Sequence, residues 1–264
     1  MKVLCWMVIL IYVCLSLIMV YKGLWHSLPM RWNPKEQPGV TWSKVLQECK
    51  TGDLILFSGY SADSAIVRAW GWSDITHVGI VVRVDEGTWL IEANLDDTKP
   101  DALNGNDTRG PQGGVQLTDL EVSLKAYDGL VFWRPLKKEI DPTLLLEHLV
   151  AHCDSTFNTN SLDLLFCCTE NNLVARLACV LFGGSGGAAK VDRRFCSEIV
   201  ALLLLKCHVI SPPKGSSRQW AARVHPQQFF PACPSEVPWL HDYKPAKAFR
   251  VICPHGSVVR AFGC

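Results

Sequence analysis

Apolar runs rich in β-branched residues dominate the first half of the chain. Residues 54–57 form a short apolar run after a Gly-Asp turn, which predicts a strand. Residues 77–94 read HVGIVVRVDEGTWLIEAN, in which two such runs flank a turn at residues 85–87, a pattern typical of a β-hairpin. Residues 129–136 supply a further strand. This half of the chain therefore predicts an antiparallel sheet or partial barrel.

The second half of the chain changes to helical patterns. Asp141 followed by Pro142 is a favourable helix start, and that helix is expected to end near residue 153. Residues 161–182 form another helical candidate, which the sequence GGSGG ends. Residues 196–205 are apolar on nearly every side, as in a buried helix. Strands in the first half and helices in the middle predict an α+β fold.

Shorter elements complete this prediction. Residues 42–49 form a short helix with Thr41 as its cap, and residues 62–70 form another. Residues 95–113 are too rich in Asp, Asn and Gly for a core element and are expected to form a polar loop. Residues 248–253 form a late strand.

The amino terminus carries a long uncharged segment. Residues 3–20, directly after Lys2, are 18 residues without a charge, which is long enough for a transmembrane helix. No small-residue cleavage site follows, which favours an uncleaved anchor over a signal peptide, whose removal would give a secreted protein. We expect residues 1–21 to be a single-pass membrane anchor, residues 22–40 a linker and residues 41–264 the folded domain. Basic residues lie on both sides of the segment, so its orientation stays open.

Composition narrows the function classes. The 264 residues are 48% hydrophobic and 19% charged, which leaves ample length for a core, and the net charge of +1 shows no nucleic-acid footprint. The twelve cysteines follow no regular spacing, so no disulfide framework is predicted. Cys167, Cys168 and Cys179, with His152 and Cys153, do not have the spacing of a zinc knuckle. No metal and no organic cofactor is therefore predicted.

The apolar helix at residues 196–205 opens with chemically active side chains, in the sequence RRFCSEIVALLLLK. Cys196 stands at its start, where unpaired backbone N–H groups and the helix dipole favour a thiolate and could stabilise an oxyanion. The alternative is that Cys196 is a small hydrophobic residue in a cysteine-rich chain. Ser197 and Glu198 are expected to satisfy the first helical turn, and Ser197 could also line a site.

A cysteine hydrolase also needs a base and a group that holds the base. His77 begins a strand of the predicted hairpin, and Glu92 and Asn94 lie on its return strand. A two-residue turn places His77 opposite Asn94 and places Glu92 on the same face, opposite Gly79, whereas a three-residue turn exchanges the faces. Whether Glu92 or Asn94 orients His77 therefore stays open.

Three further residues are candidates with weaker signals. Asp53 follows the glycine of a turn, which favours a capping role over a supporting catalytic one. Trp70 and Trp72 could wall a substrate groove, although packing in the core or near the membrane explains them equally well.

Four motifs occur in a characteristic order: GDLILF, THVGIVV, IEA and FCSEIVA. They resemble the circularly permuted papain-like cysteine hydrolases of the NlpC superfamily, in the YiiX-like branch with bacterial and poxvirus members. DGLVFWRPL and HPQQFF are also similar to elements of that branch, so the resemblance covers residues 52–230. It implies a permuted papain-like fold in which Cys196 is the nucleophile, His77 the base and Glu92 the orienting residue.

The expected function is a membrane-anchored cysteine hydrolase that cleaves a peptide or related amide bond through an acyl-enzyme. A lipid acyltransferase or lipid hydrolase that uses the same site is one alternative, because related permuted folds act on acyl chains. A non-catalytic membrane-bound binding module is another. A helical insertion at about residues 155–194 and the anchor depart from the family pattern, so the substrate stays open.

Overall fold

The computed structural model describes residues 37–71, 74–85, 87–95, 99–105, 113–158, 193–212, 220–231 and 236–252, together with residues 7, 10, 11 and 14. Nearly all of the expected anchor and most of the expected linker lie outside these residues, as do Trp72 and the helical candidate at residues 161–182. Among the helices within them, none has both the length and the apolar character needed to cross a bilayer.

A mixed but mainly antiparallel sheet of seven strands forms the centre of the described fold. Its order is β1-β9-β6-β2-β3-β4-β5, and the pair β1–β9 is parallel. A separate pair, β7–β8, is also parallel. In chain order the strands are β1 (Gly39–Thr41), β2 (Leu54–Gly59), β3 (His77–Val84), β4 (Gly87–Asn94), β5 (Gly114–Asp119), β6 (Gly129–Arg134), β7 (Thr156–Phe157), β8 (Arg193–Arg194) and β9 (Phe249–Ile252).

The α-helices described in full are α1 (Trp42–Glu48), α2 (Ala62–Gly71), α3 (Leu120–Ala126), α4 (Pro142–Val150) and α5 (Cys196–Lys206). Two of them start at the caps that the sequence predicts. Thr41 accepts the Lys44 N–H at 3.3 Å, and Asp141 accepts the Thr143 N–H at 2.9 Å. Each cap satisfies a backbone donor that the first helical turn leaves without an acceptor.

Helices cover both faces of the sheet. Helices α4 and α5 pack on one face, in a cluster that includes Ile80 and Phe132. Helices α1 and α3 pack on the other, in a cluster that includes Leu90 and Trp133. Helix α5 is buried at every residue from 196 to 204, which explains why its sequence is apolar on all sides.

The structure confirms a mixed α+β fold and adds elements that the patterns did not indicate. Strand β5 and helix α3 follow the polar loop, and β1 takes up residues expected to end the linker, because its backbone pairs with β9. Helix α4 ends at Val150, earlier than expected, and gives way to a turn. β7 and β8 join the two ends of the expected insertion, directly before Cys196.

Candidate active site

The β3–β4 hairpin has a two-residue turn. Val84 pairs with Gly87 and Ile80 with Ile91, so His77 and Glu92 lie on the same face of the sheet. Their side chains meet there, with 2.5 Å between His77 Nε2 and Glu92 Oε2. Asn94 uses its Oδ1 to accept the Leu95 backbone N–H at 2.8 Å. The carboxylate of Glu92, and not the amide of Asn94, therefore makes the described contact with the imidazole.

Glu92 is a buried carboxylate, with only 1% of its side chain exposed. Burial by itself would raise its pKa, but Lys99, whose Nζ lies 3.5 Å from Oε1, and the His77 ring outweigh burial and lower the pKa to about 2. Thr118 donates its hydroxyl to Oε1 at 3.5 Å. Glu92 is therefore charged throughout the neutral pH range, and charged or polar partners surround both of its oxygens.

His77 keeps 15% of its side chain exposed, and its ring packs on Phe57 with 5.4 Å between ring centroids. Burial by itself would lower its pKa. The interactions with the Cys196 sulfur and with Glu92 act in the opposite direction and raise the pKa to about 10. The imidazole, which lies between the Cys196 sulfur and the Glu92 carboxylate, is therefore held in its protonated form at neutral pH.

Cys196 is the first residue of α5 and has a free thiol that is 7% exposed. The N-cap of this helix is Phe195, whose side chain has no hydrogen-bond acceptor and makes no cap bond to the first turn. The first turn, where Cys196 and Ser197 line a pocket, therefore receives no hydrogen bond from the side chain of its N-cap residue.

The site forms where the two faces of the sheet meet. His77 and Glu92 belong to the face covered by α1 and α3, whereas Cys196 belongs to the cluster on the opposite face. His77 is the first residue of β3, so the start of α5 can reach the imidazole past the edge of the strand. All three side chains line one pocket of about 720 Å³. Its apolar lining includes Phe57, Val67, Leu95, Phe157 and Phe195.

His225 also lines this pocket, and the sequence patterns indicated only a turn there. Its backbone N–H donates to Gln228 Oε1 at 2.7 Å, and its Nδ1 accepts the Gln227 N–H at 3.2 Å. Gln227 Oε1 in turn accepts the N–H groups of Asp74 and Ile75, each at 3.1 Å. The turn that carries His225 is therefore attached to the segment that leads into His77. A histidine placed before proline at a helical turn was the only sequence signal for this role.

Asp53 lies away from the site. It precedes β2, whose residue Phe57 pairs with His77, so about 13 Å of strand separates the two. Its carboxylate accepts the Trp133 indole N–H at 2.8 Å and the Leu136 backbone N–H at 2.9 Å, and burial raises its pKa to about 6. These bonds fasten β2 to β6 and to the residues that follow it.

The remaining sequence candidates lie mainly outside the described part of the chain. Trp70 lies in α2, and its side chain, like Trp72, falls outside what the structure describes. The described residues also exclude the cysteines that were considered for a zinc site, Cys167, Cys168 and Cys179. Within the described ranges, no group of three or more His, Cys, Asp or Glu side chains is arranged to hold a metal ion.

Comparison with solved structures gives a weak structural likeness. No protein-family model matches the chain, and no curated protein matches it. Among solved structures, the chain is similar to the crystal structure of metalloprotein yiiX from Escherichia coli O157:H7, DUF1105, with 16% sequence identity and a TM-score of 0.39. The alignment covers 61% of this chain and 67% of that chain.

Proposed function

We propose that this protein is a cysteine hydrolase in which Cys196 is the nucleophile, His77 the general acid and base, and Glu92 the residue that holds the imidazole. The observation that carries the proposal is the 2.5 Å contact between the buried Glu92 carboxylate and the His77 ring. The same ring also interacts with the Cys196 sulfur. A thiol, an imidazole and an orienting carboxylate in one pocket are the parts that thiol-based acyl transfer requires.

The two ring nitrogens of His77 take different partners in this proposal. Nε2 is held by Glu92, which leaves Nδ1 for the thiol. Because the pKa of His77 is raised to about 10, the imidazole rests in its protonated form beside the Cys196 sulfur. The partial positive charge at the start of α5 favours the thiolate form of that sulfur.

The reaction then follows from these charges. The Cys196 sulfur attacks the carbonyl carbon of an amide or ester, a C–S bond forms, and the carbonyl oxygen becomes an oxyanion. When the oxyanion collapses, the C–N or C–O bond breaks and His77 gives its proton to the leaving amine or alcohol. Neutral His77 then takes a proton from water, which attacks the thioester and releases the acid. Cys196 leaves as a thiolate, and the imidazolium is restored.

This arrangement also supports placing the chain with the circularly permuted papain-like hydrolases of the NlpC superfamily. The histidine strand precedes the cysteine helix along the chain, as the order of the motifs suggests. The membrane anchor at residues 1–21 is part of the same proposal, which makes the protein a single-pass membrane enzyme.

An amide, as in a peptide, is the proposed substrate, and one observation favours a lipid acyl group as the second candidate. The side chains of Phe57, Val67, Leu95, Phe157 and Phe195 give the pocket a large apolar lining, which suits an acyl chain. The full chain is incubated with fluorogenic peptide anilides and, separately, with phosphatidylcholine vesicles, with Cys196→Ser as the blank. Cys196-dependent turnover of the anilides alone removes the lipid candidate, and turnover of the vesicles alone removes the peptide one.

The activated thiol itself is tested by alkylation with iodoacetamide at pH 6, with each site quantified by peptide mass spectrometry. Cys153 is the internal comparison, because it is more exposed than Cys196. An ordinary thiol with a pKa of about 8.5 is only about 0.3% ionised at this pH, so Cys196 should react roughly 10- to 100-fold faster. His77→Ala should abolish that advantage. If Cys196 reacts no faster than Cys153 in the wild-type chain, the proposed nucleophile is wrong.

A further inference from the structure

His225 carries one ring nitrogen that the fold uses and one that it does not. The side chain is 0% exposed, and Nδ1 accepts the Gln227 backbone N–H. Nε2 is buried and has no hydrogen-bond partner among the described residues. A buried polar atom left in this state costs free energy, so it is expected to bind an ordered water or a ligand group. His225 lines the same pocket as Cys196, Ser197 and His77.

The hydrogen bonds assign the tautomer of His225. Burial lowers its pKa to about 4, so the ring is neutral near pH 7 and carries one proton. Because Nδ1 accepts a hydrogen bond, that proton lies on Nε2. The buried nitrogen that lacks a partner is therefore an N–H donor, and the ligand that satisfies it must present an acceptor such as a carbonyl oxygen.

The position of this donor is fixed before any ligand arrives. The His225 backbone N–H is held by Gln228, and Gln227 fastens the turn to the backbone of Asp74 and Ile75, just before His77. A donor held in this way does not have to reorganise when charge develops on an acceptor, which is the condition for strong transition-state stabilisation. The uncapped start of α5 supplies backbone N–H groups in the same pocket.

We propose that His225 Nε2–H binds the carbonyl oxygen of the substrate and stabilises the oxyanion that forms when Cys196 attacks, with a backbone N–H at the start of α5 as the second donor. This inference rests on the proposed cysteine hydrolase. It adds a catalytic residue that the Cys-His-Glu set does not contain, and it defines a subsite for acyl carbonyl groups in general, whether amide, ester or thioester.

The substitution His225→Asn isolates the Nε2 donor. Asparagine can place its Oδ1 where Nδ1 accepts the Gln227 N–H, and it is a good helix cap, but it has no atom at the Nε2 position. His225→Leu removes both functions and keeps more of the bulk. His208→Asn is the matched control, because His208 is exposed and lies at a positive φ of 54° that asparagine adopts readily. Thermal unfolding of each variant establishes that it is folded.

Two reactions of Cys196 separate the proposed role from a structural one. Acylation by p-nitrophenyl acetate forms the acetyl thioester and releases p-nitrophenolate through a tetrahedral oxyanion, whereas alkylation by iodoacetamide displaces iodide and forms no oxyanion. We expect His225→Asn to slow acylation of Cys196 by about 100- to 1,000-fold, and alkylation by less than about 2-fold. His208→Asn should leave both rates unchanged.

The outcomes distinguish a failure of the oxyanion role of His225 from a failure of the cysteine hydrolase proposal on which it rests. If the wild-type chain acylates at Cys196 and folded His225→Asn does so at the same rate, the oxyanion role is wrong and the hydrolase proposal stands. If both reactions slow equally, His225 acts on the thiol or on the fold, and the oxyanion role is again wrong. If wild-type Cys196 neither alkylates nor acylates faster than Cys153, the hydrolase proposal fails and the His225 role fails with it.

Discussion

The substitution Glu92→Gln removes one charge from the centre of the site and changes little else. Glutamine has nearly the same volume and still offers an oxygen to His77 Nε2, but it no longer carries the negative charge that faces both the imidazole and Lys99. The charge on Glu92 favours the protonated imidazole, so its removal must lower the pKa of His77 from about 10.

The expected fall in the His77 pKa follows from the hydrogen bond between Glu92 and the His77 ring. A hydrogen bond to a charged group contributes about 1.5–3 kcal/mol, and one pKa unit corresponds to about 1.4 kcal/mol. The His77 pKa should therefore fall by roughly 1–2 units. Because the His77 pKa lies above its ordinary value of 6.5, the stabilisation is complete below pH 6.5 and is lost as the pH rises through about 10. Glu92→Gln should remove part of this stabilisation and also the carboxylate charge that faces the buried Lys99.

The assay is the titration of the His77 ring nitrogens by ¹⁵N NMR in the full chain, compared with the alkaline limb of the rate at which Cys196 turns over an anilide. Both midpoints should move down together, and the free energy of unfolding at pH 7 should fall by about 3–5 kcal/mol, as for a broken buried ion pair. Glu147→Gln, a substitution of an exposed residue on α4, is the control and should move neither.

An unchanged His77 midpoint in folded Glu92→Gln would refute this reasoning, because it would mean that the contact does not stabilise the imidazolium. A shift of the NMR midpoint without a matching shift of the rate limb would show that His77 titrates as described but does not donate the proton to the leaving group.

Three further substitutions test the surroundings of the site. Lys99→Met should lower the free energy of unfolding by about 1–3 kcal/mol and move acid unfolding to higher pH. The Glu92 pKa of about 2 rises in this variant, so the stabilisation that the carboxylate provides above pH 4.5 is lost at a higher pH. An unchanged acid midpoint, in a pH titration followed by circular dichroism, would contradict this. Asp53→Ala should cost about 2–4 kcal/mol in urea unfolding through its lost bonds to the β6 region, yet leave Cys196 alkylation normal in the folded protein; loss of alkylation would give Asp53 a catalytic role after all. Leu203→Ala, in the fully buried part of α5, should cost about 2–5 kcal/mol by the same measurement, and a cost below about 1 kcal/mol would mean that this helix face is not packed as described.

The sequence predicts best where structure depends on neighbouring residues. The caps at Thr41 and Asp141 and the hairpin around residues 85–87 were identifiable, because capping and turn formation are local. Strand β5 was not identified, since it takes its place only by pairing with β4 at the edge of the sheet. Pairing between strands is decided by tertiary packing and not by propensity alone.

The candidate site divides in the same way. Cys196 and His77 stood out because each begins a well-defined element. The choice between Glu92 and Asn94 depended on the length of the turn, which sequence alone did not decide. Lys99 and His225 lie in a polar loop and a short turn, where no periodic pattern indicates which way a side chain points. Their roles became visible only when the fold brought them to the pocket.

The origin of the site on two faces of one sheet has a consequence during protein synthesis. His77 leaves the ribosome roughly 120 residues before Cys196, so the hairpin can pair early while the sulfur is still missing or detached. Until Cys196 emerges, the polypeptide holds a base without a nucleophile, and until α5 docks it holds only an ordinary thiol. Chemical competence therefore arises only once α5 has packed on the sheet, and a nascent or damaged chain is protected from premature reaction with its neighbours.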